Sequence, residues 1–452
     1  MSSNWPTVTI QELIDDGVIL VHKDGNHGSN YPRTAEFGEE GIPFLTAKLL
    51  DDSGNIDFDS APRLSTDKAN KFKFGFLEPN DVLLSHNATV GRVAVVPAIK
   101  ERMLIGTSLT HYRLDSSRLL PKYLAAYFSG IAFQNQLASV MSQTTRNQVP
   151  ITSQRKLSVV VPPIEDQKII ADMLGAFDDK IQNNTQTNQT LEQIAQAIFK
   201  SWFVDFDPVK AKIETLATGG STDDAELAAM GVISAKTLDE LNSLKASNPE
   251  AFNKLAQTAT LFPAAMQDSE LGEIPVGWEV KQLKDILELA YGKALKKTDR
   301  VDGDVPVYGS GGLTGYHNQS LVEGPGIIVG RKGTVGSVYW EPKAFYPIDT
   351  VFYVKPRAGY SLKYCHLVLQ NLGLKDMNTD AAVPGLNRDN AYRLDVITPT
   401  KDVMNLFKEI MQTLQSNVDA NNAQSVSLES LRDTLLPKLL SGEIDLTSEV
   451  TA

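Results

Sequence analysis

The chain has 452 residues, 42% of them hydrophobic and 22% charged, with a formal net charge of −12. This supports ordinary hydrophobic cores in two to four domains and excludes a disordered or fibrous chain. The charge sum alone argues against a nucleic-acid partner, so where the charges fall matters more.

Cys365 is the only cysteine, which rules out a disulfide within the chain. The six histidines, His22, His27, His86, His111, His317 and His366, contain no pair at helical ligand spacing, so no metal site is expected. The longest apolar runs, around 93–96 and 159–164, are too short to span a bilayer, and the opening MSSNWPTVTI has neither a basic nor an apolar leader segment. A cytoplasmic protein with no membrane association is expected.

In chain order, Trp5 begins WPTVTIQEL, with Ile10 and Leu13 as the apolar positions of a short element. IPFLTAKLLDDSGNIDF (42–58) reads as a strand and an acidic turn, and DVLLSHNATVGRVAVV (81–96) as two apolar strands around a polar, Gly-containing turn. PKYLAAYFSG (121–130) predicts a short helix, SQTTRNQVPIT (142–152) a polar loop, and LSVVVP a strand.

A long helix over 164–203 follows, opened by Pro162 and Pro163, which cost no internal hydrogen bond at a helix start. Its seam of Ile170, Leu174, Phe177, Ile181, Asn184, Asn188, Leu191, Ala195, Ile198 and Trp202 alternates spacings of four and three, as in a coiled coil. From Phe203 to Gly272 the chain carries eleven acids against five bases, half of the excess negative charge, and reads as an acidic helical linker or insert.

The chain then repeats itself. Trp278 begins WEVKQLKDI, with Leu283 and Ile286 at the offsets of Ile10 and Leu13. VPVYGSGGLTGYHN (305–318) is β-rich, GIIVGRKGTVGSVYW (326–340) resembles the 81–96 hairpin, and LKYCHLVLQNLG (362–373) matches the short helix. TDAAVPGLNRD (379–389) and LDVITP lead into a second long helix, reaching from Pro399 to Leu440. Its seam residues Phe407, Met411, Leu414, Val418, Leu428, Leu435 and Leu439 all lie 237 positions after their partners, and the polar pair recurs as Asn421 and Ser425. An ungapped repeat of this kind predicts an internal duplication whose two helices pair, with polar seam residues fixing register. The spacing between copies is larger at the start of the halves, which places the extra length of the first half mostly in residues 20–80.

No catalytic motif is found. There is no G-x-x-x-x-G-K-[ST] phosphate cradle, no G-x-S-x-G elbow, and no repeated carboxylate cluster to act as general acid or base. Glycines 309, 311, 312 and 315 sit in a β context and suit tight turns. The polar turns are more informative. SHNATVGR and GRKGTVGS place His86, Asn87, Arg92, Arg331 and Lys332 at matching points of both halves, and such groups suit base edges and phosphates. Arg146, Lys293, Lys296, Lys297, Ser310, His317 and Arg388, on other turns and loops, complete the candidate DNA-binding set.

FKSWFVDFDPVKAK (199–212), DSELGEIPVGWEV (268–280), VYGSGGLTGYHNQSLVEGPGIIVGRKGTVG (307–336), VPPIEDQKIIADML (161–174) and LLPKLLSGEID (435–445) resemble the specificity subunits of type I restriction-modification systems, over nearly the whole chain. The resemblance implies an α+β fold with two β-rich target recognition domains, 1–160 and 273–398, alternating with two helices, 161–212 and 399–445, that pair as an antiparallel coiled coil. Residues 213–272 form the acidic helical linker or insert, of which 213–262 are longer and more helical than that pattern requires.

The implied function is non-catalytic reading of a bipartite sequence in double-stranded DNA, with the helices docking two modification subunits. S-adenosylmethionine, ATP and Mg would belong to partner chains, and two restriction subunits are left open as further partners. The competing reading is a stand-alone DNA-modifying enzyme. Against it, the nearest approach to an amino-methyltransferase N-P-P-[YF] motif is Asn248-Pro249-Glu250.

Overall fold

The computed structural model describes residues 5–26, 31–142, 147–377 and 385–444. The chain forms two compact units, one of residues 1–185 and 422–452, the other of residues 186–421. Both boundaries fall inside long helices, Ile164–Phe203 (the central helix) and Lys401–Leu440 (the C-terminal helix), so each unit holds half of each helix.

The two β domains share one topology. In the first unit an antiparallel sheet runs in the order Ile19–Asp24, Leu109–Leu114, Val82–Ser85, Val93–Val95. In the second unit the order Leu287–Tyr291, Val351–Pro356, Gly326–Gly330, Val338–Glu341 matches it strand for strand. Each unit adds a sheet with one parallel pairing, Phe44 beside Leu104 in the first and Val307 beside Tyr346 in the second. Each domain is also closed by its ends, Thr7–Thr9 against Ser158–Val160 and Glu279–Gln282 against Asp395–Thr398. The duplication read from the sequence is therefore present in the hydrogen-bonding pattern.

The strands Val82–Ser85 and Gly326–Gly330 are buried at every residue, which is why they read as unbroken apolar runs. The first domain is larger between residues 31 and 78. There the strands Phe37–Gly38 and Arg63–Leu64 extend its second sheet, over small cores built on Phe44, Leu64 and Phe72 and on Leu45, Leu50 and Leu77. It also has a helix, Ile131–Met141, that the sequence reading did not include; Phe133 and Leu137 anchor it.

The buried carboxylate of the first domain is paired, as burial requires. Asp81, fully buried, accepts from Arg113 Nε at 2.8 Å and lies 3.2 Å from His111 Nδ1. Burial pushes its carboxyl up, but the hydrogen bonds from Arg113, His111 and the Glu78 amide outweigh that and hold it below the usual range.

In the first unit the seam residues Ile170 and Leu174 pack with Leu436, Leu439 and Leu440, flanked by the partly buried Phe177 and Leu435. Ile181 and Leu428 are also partly buried. Asn184, 2% exposed, donates to Gln424 Oε1 at 3.0 Å and Ser425 Oγ at 3.2 Å, and Arg432 pairs with Asp178 at 2.9 Å. In the second unit Asn421 donates to Asn188 at 2.9 Å, and Phe199, Trp202 and Phe203 pack on Val403, Phe407 and Met411, with Leu414 and Ile198 at the margin. Leu191 and Val418 are partly buried there. Within each unit the numbering of one helix rises as the other falls, so the halves pair antiparallel.

The motif FKSWFVDFDPVKAK is a packing motif. Phe203 meets Phe407 edge-on at 4.8 Å, Trp202 meets Phe262 at 5.0 Å and Phe206 meets Trp278 at 5.7 Å. Four short helices follow, Asp207–Ala217, Thr222–Ser234, Leu238–Ser247 and Pro249–Thr260. The Lys212 side chain, 3% exposed, ties them together by donating to Glu226 at 2.7 Å and to the carbonyls of Ala259 and Phe262 at 2.8 Å each.

Two predictions follow from these buried groups. Lys212→Met leaves one carboxylate and two carbonyls without their donor, so it should lower unfolding stability by about 3 kcal/mol, measured as a shifted urea midpoint; an unchanged midpoint would remove Lys212 as the tie. Burial also lowers His22 and His366 to about 4. The folded chain keeps both imidazoles neutral, whereas unfolded histidine takes up a proton near pH 6.5. Stability present above that pH is therefore lost as pH falls towards 4, and denaturant midpoints at pH 7, 6 and 5 should decline in that order; a flat series would contradict it.

Candidate nucleic-acid interface

In each domain the central buried strand runs out into a polar turn. The two turns have the same backbone: Ser85 N donates to Arg92 O and Gly91 N to Ser85 O in the first, Gly330 N to Ser337 O and Gly336 N to Gly330 O in the second. Left-handed residues fall at matching points, Ala88 and Gly91 in one turn and Gly333 and Gly336 in the other. Glycine adopts that conformation freely, whereas Ala88 must be held in it by its surroundings.

Each turn is fastened to the loop that precedes the domain's last strand. Val149 N donates to His86 O at 2.9 Å, and Leu386 N donates to Arg331 O at 2.8 Å. Asn87 forms a β-bridge with Gln148, and Lys332 forms one with Gly385. Two loops that the sequence reading singled out separately thus form one surface in each domain.

This register fixes which residues correspond. His86 N donates to Ser108 O and Arg331 N donates to Thr350 O, which equates His86 with Arg331 and Asn87 with Lys332. Strand pairing of Asp24 with Thr110 and of Tyr291 with Phe352 equates Asp24 with Tyr291. Ile151 and Arg388 each begin the short helix that follows.

The shared frame carries different chemistry. In the second domain Tyr291, Arg331, Lys332 and Arg388 line an open cavity of about 270 Å³ bordered by Asn387 and Asp389. The guanidinium carbons of Arg331 and Arg388 lie 4.9 and 4.8 Å from the Tyr291 ring centroid, within cation–π range. Arg331 Nη1 also donates to Asp349 O at 2.9 Å, and Lys332 is exposed.

In the first domain His86 is buried, with Nδ1 2.8 Å from Thr110 Oγ1. Thr110 accepts from Gln154 Nε2 at 2.9 Å, and Gln154 Oε1 accepts from Tyr112 at 2.6 Å and lies 3.2 Å from His22 Nε2. By the same register the second domain has Phe352, Ala391, Val354 and Leu289 where the first has Thr110, Gln154, Tyr112 and His22. A polar chain supports one turn and an apolar core supports the other.

Of the remaining candidates, Lys293, Lys296 and Lys297 are exposed just after Tyr291. Arg92 holds the 50–55 turn, donating to Asp52 and to Leu50 O at 2.7 Å each. His317 is buried, its Nδ1 accepting from Val301 N at 3.1 Å. Ser310 contributes its carbonyl, which accepts from Ser337 Oγ at 2.8 Å and from Tyr339. Arg146 lies outside the described residues. Tyr291 was missed by the sequence reading; its only signal is an aromatic ending the strand LELAY. Among the described residues no cluster of His, Cys, Asp and Glu could hold a metal ion, and no helix is long and apolar enough to cross a membrane.

The type I restriction modification DNA specificity domain model matches residues 24–193 and 275–429. The HindI type I restriction enzyme specificity subunit of Haemophilus influenzae is 34% identical over 392 residues, covering 78% of this chain and 84% of that one. The MjaIX specificity subunit of Methanocaldococcus jannaschii is 23% identical over 460 residues, covering 92% and 90%. Among solved structures, the type I S subunit from M. genitalium aligns over 96% of each chain with a TM-score of 0.48 and 18% identity. With both matched segments falling on the duplicated halves, this chain belongs to the type I restriction-modification DNA specificity family.

Proposed function

We propose that this chain is the DNA-reading, non-catalytic subunit of a type I restriction-modification complex, each domain reading one half of a bipartite duplex sequence. The observation that carries the reading is the turn-and-loop frame, which shares four matching backbone hydrogen bonds in the two domains but carries different side chains. A repeated frame supports two readers, and different side chains would let them read different bases. In this reading residues 1–160 and 273–398 are the recognition domains, and the helices of 161–212 and 399–445 dock two modification subunits. Residues 213–272 are a helical elaboration of the linker. S-adenosylmethionine is bound by the modification subunits, ATP and Mg by two restriction subunits where a cleavage arm exists, and the complex works on cytoplasmic DNA.

The exposed cations of the second domain divide by geometry. Lys332, Lys293, Lys296 and Lys297 are flexible point charges suited to phosphates. Lys332→Ala should weaken binding of the assembled complex to all sequences alike and reduce the slope of log K against log salt by about one. Binding titrations across salt concentrations measure this; a loss confined to one base position would assign Lys332 to base reading.

The purified chain incubated with S-adenosylmethionine should leave DNA unmodified and uncut, whereas the chain co-purified with its modification subunit should methylate one defined sequence. Methyl transfer by the chain alone would favour the stand-alone enzyme.

A further inference from the structure

We infer that Arg388, whose guanidinium lies over the Tyr291 ring with Tyr392 beside it, reads a guanine in the half-sequence recognised by the second domain. The inference rests on the DNA-reading function above and names the base chemistry at one position. The Arg388 guanidinium carbon lies 4.8 Å from the Tyr291 ring centroid and 5.7 Å from that of Tyr392. Its Nε is buried without a partner, and the side chain makes no hydrogen bond or ion pair among the described residues, although Asp389 borders the same cavity. Arg331, drawn to the same ring at 4.9 Å, is tethered by its bond to Asp349 O.

A guanidinium held within cation–π range of two rings, with no hydrogen bond on its terminal donors among the described residues, differs from a freely rotating surface cation. It presents a planar fork in one direction, which matches the paired acceptors O6 and N7 of guanine. Lys332 alongside is an exposed, flexible charge suited to the backbone. Tyr291 acts through Arg388 and is a positioning residue. The first domain has Ile151 and Asp24 at the matching points and cannot make this contact, so the guanine is specific to the half read by the second domain.

The test uses the assembled complex of this chain with its modification subunit. Methylome sequencing should show a guanine in one half of the modified sequence. Arg388→Lys should relax that position alone and reduce methylation at the original sites roughly 5- to 150-fold, leaving the other half-sequence unchanged. Tyr291→Ala should relax the same position, and Tyr291→Phe, which restores the ring, should recover discrimination.

A second measurement needs no variant: binding of the unaltered complex to a duplex carrying 7-deazaguanine at that position, which lacks the N7 acceptor, should weaken roughly fivefold or more. Overturning results are a modified sequence without guanine in either half, unchanged binding to the 7-deazaguanine duplex, an Arg388→Lys loss that spares base discrimination as a phosphate contact would, or Tyr291→Phe behaving as Tyr291→Ala. Absence of any sequence-specific methylation would instead remove the DNA-reading function itself.

Discussion

The backbone hydrogen bonds that fasten each turn to its facing loop, Val149 to His86 and Leu386 to Arg331, are the constraint on which the rest of the structure depends. Main-chain atoms make them, so the surface keeps its shape whatever side chains stand on it. That separation lets one frame appear twice with unlike chemistry. In the first domain His86 turns inward onto Thr110, backed by Gln154, Tyr112 and His22. In the second, Arg331 lies against Tyr291 over an apolar core containing Leu289 and Phe352. A buried polar chain is stable only when nearly every member is paired, so it cannot be altered one residue at a time, whereas an apolar core tolerates volume-conserving change.

The long helices do complementary work. Their apolar seam supplies burial at the far ends, around Leu174 and Leu439 in the first unit and Phe203 and Phe407 in the second. Asn184, Ser425, Asn188 and Asn421 supply hydrogen bonds where the seam turns polar. Polar pairs at seam positions cost stability and penalise any shifted register, since a slip of one turn leaves an amide unpaired against an apolar neighbour. The aromatic motif at the end of the central helix then joins the second β domain and the helical insert in a single core.

Much of this was legible in the sequence because it is periodic. The seam spacing gave both helices, the repeated landmarks gave the duplication, and the all-apolar runs gave the buried strands. What stayed hidden depends on partners distant in sequence. Arg92 looks like a free cation until Asp52 and Leu50 are folded against it. His317 sits in a glycine-rich, polar stretch yet is buried beside Tyr346 and bonded to the Val301 amide. Tyr291 is marked locally only as an aromatic ending a strand; pairing with Phe352 brings it beside Arg331 and Arg388. The helix Ile131–Met141 was passed over because only Phe133 and Leu137 of it are buried, too short an apolar stripe to stand out.

The central claim is that one backbone frame, used twice, presents two different reading surfaces. The most direct test is the sequence modified in cells that express this chain with its modification subunit, determined by methylome sequencing. The account predicts two half-sequences, separated by an unread gap, that are not reverse complements of one another, because the surface with Asp24, His86, Asn87 and Ile151 has no counterpart of Arg388 on the Tyr291 ring. A palindromic sequence, with both halves read alike, would contradict it.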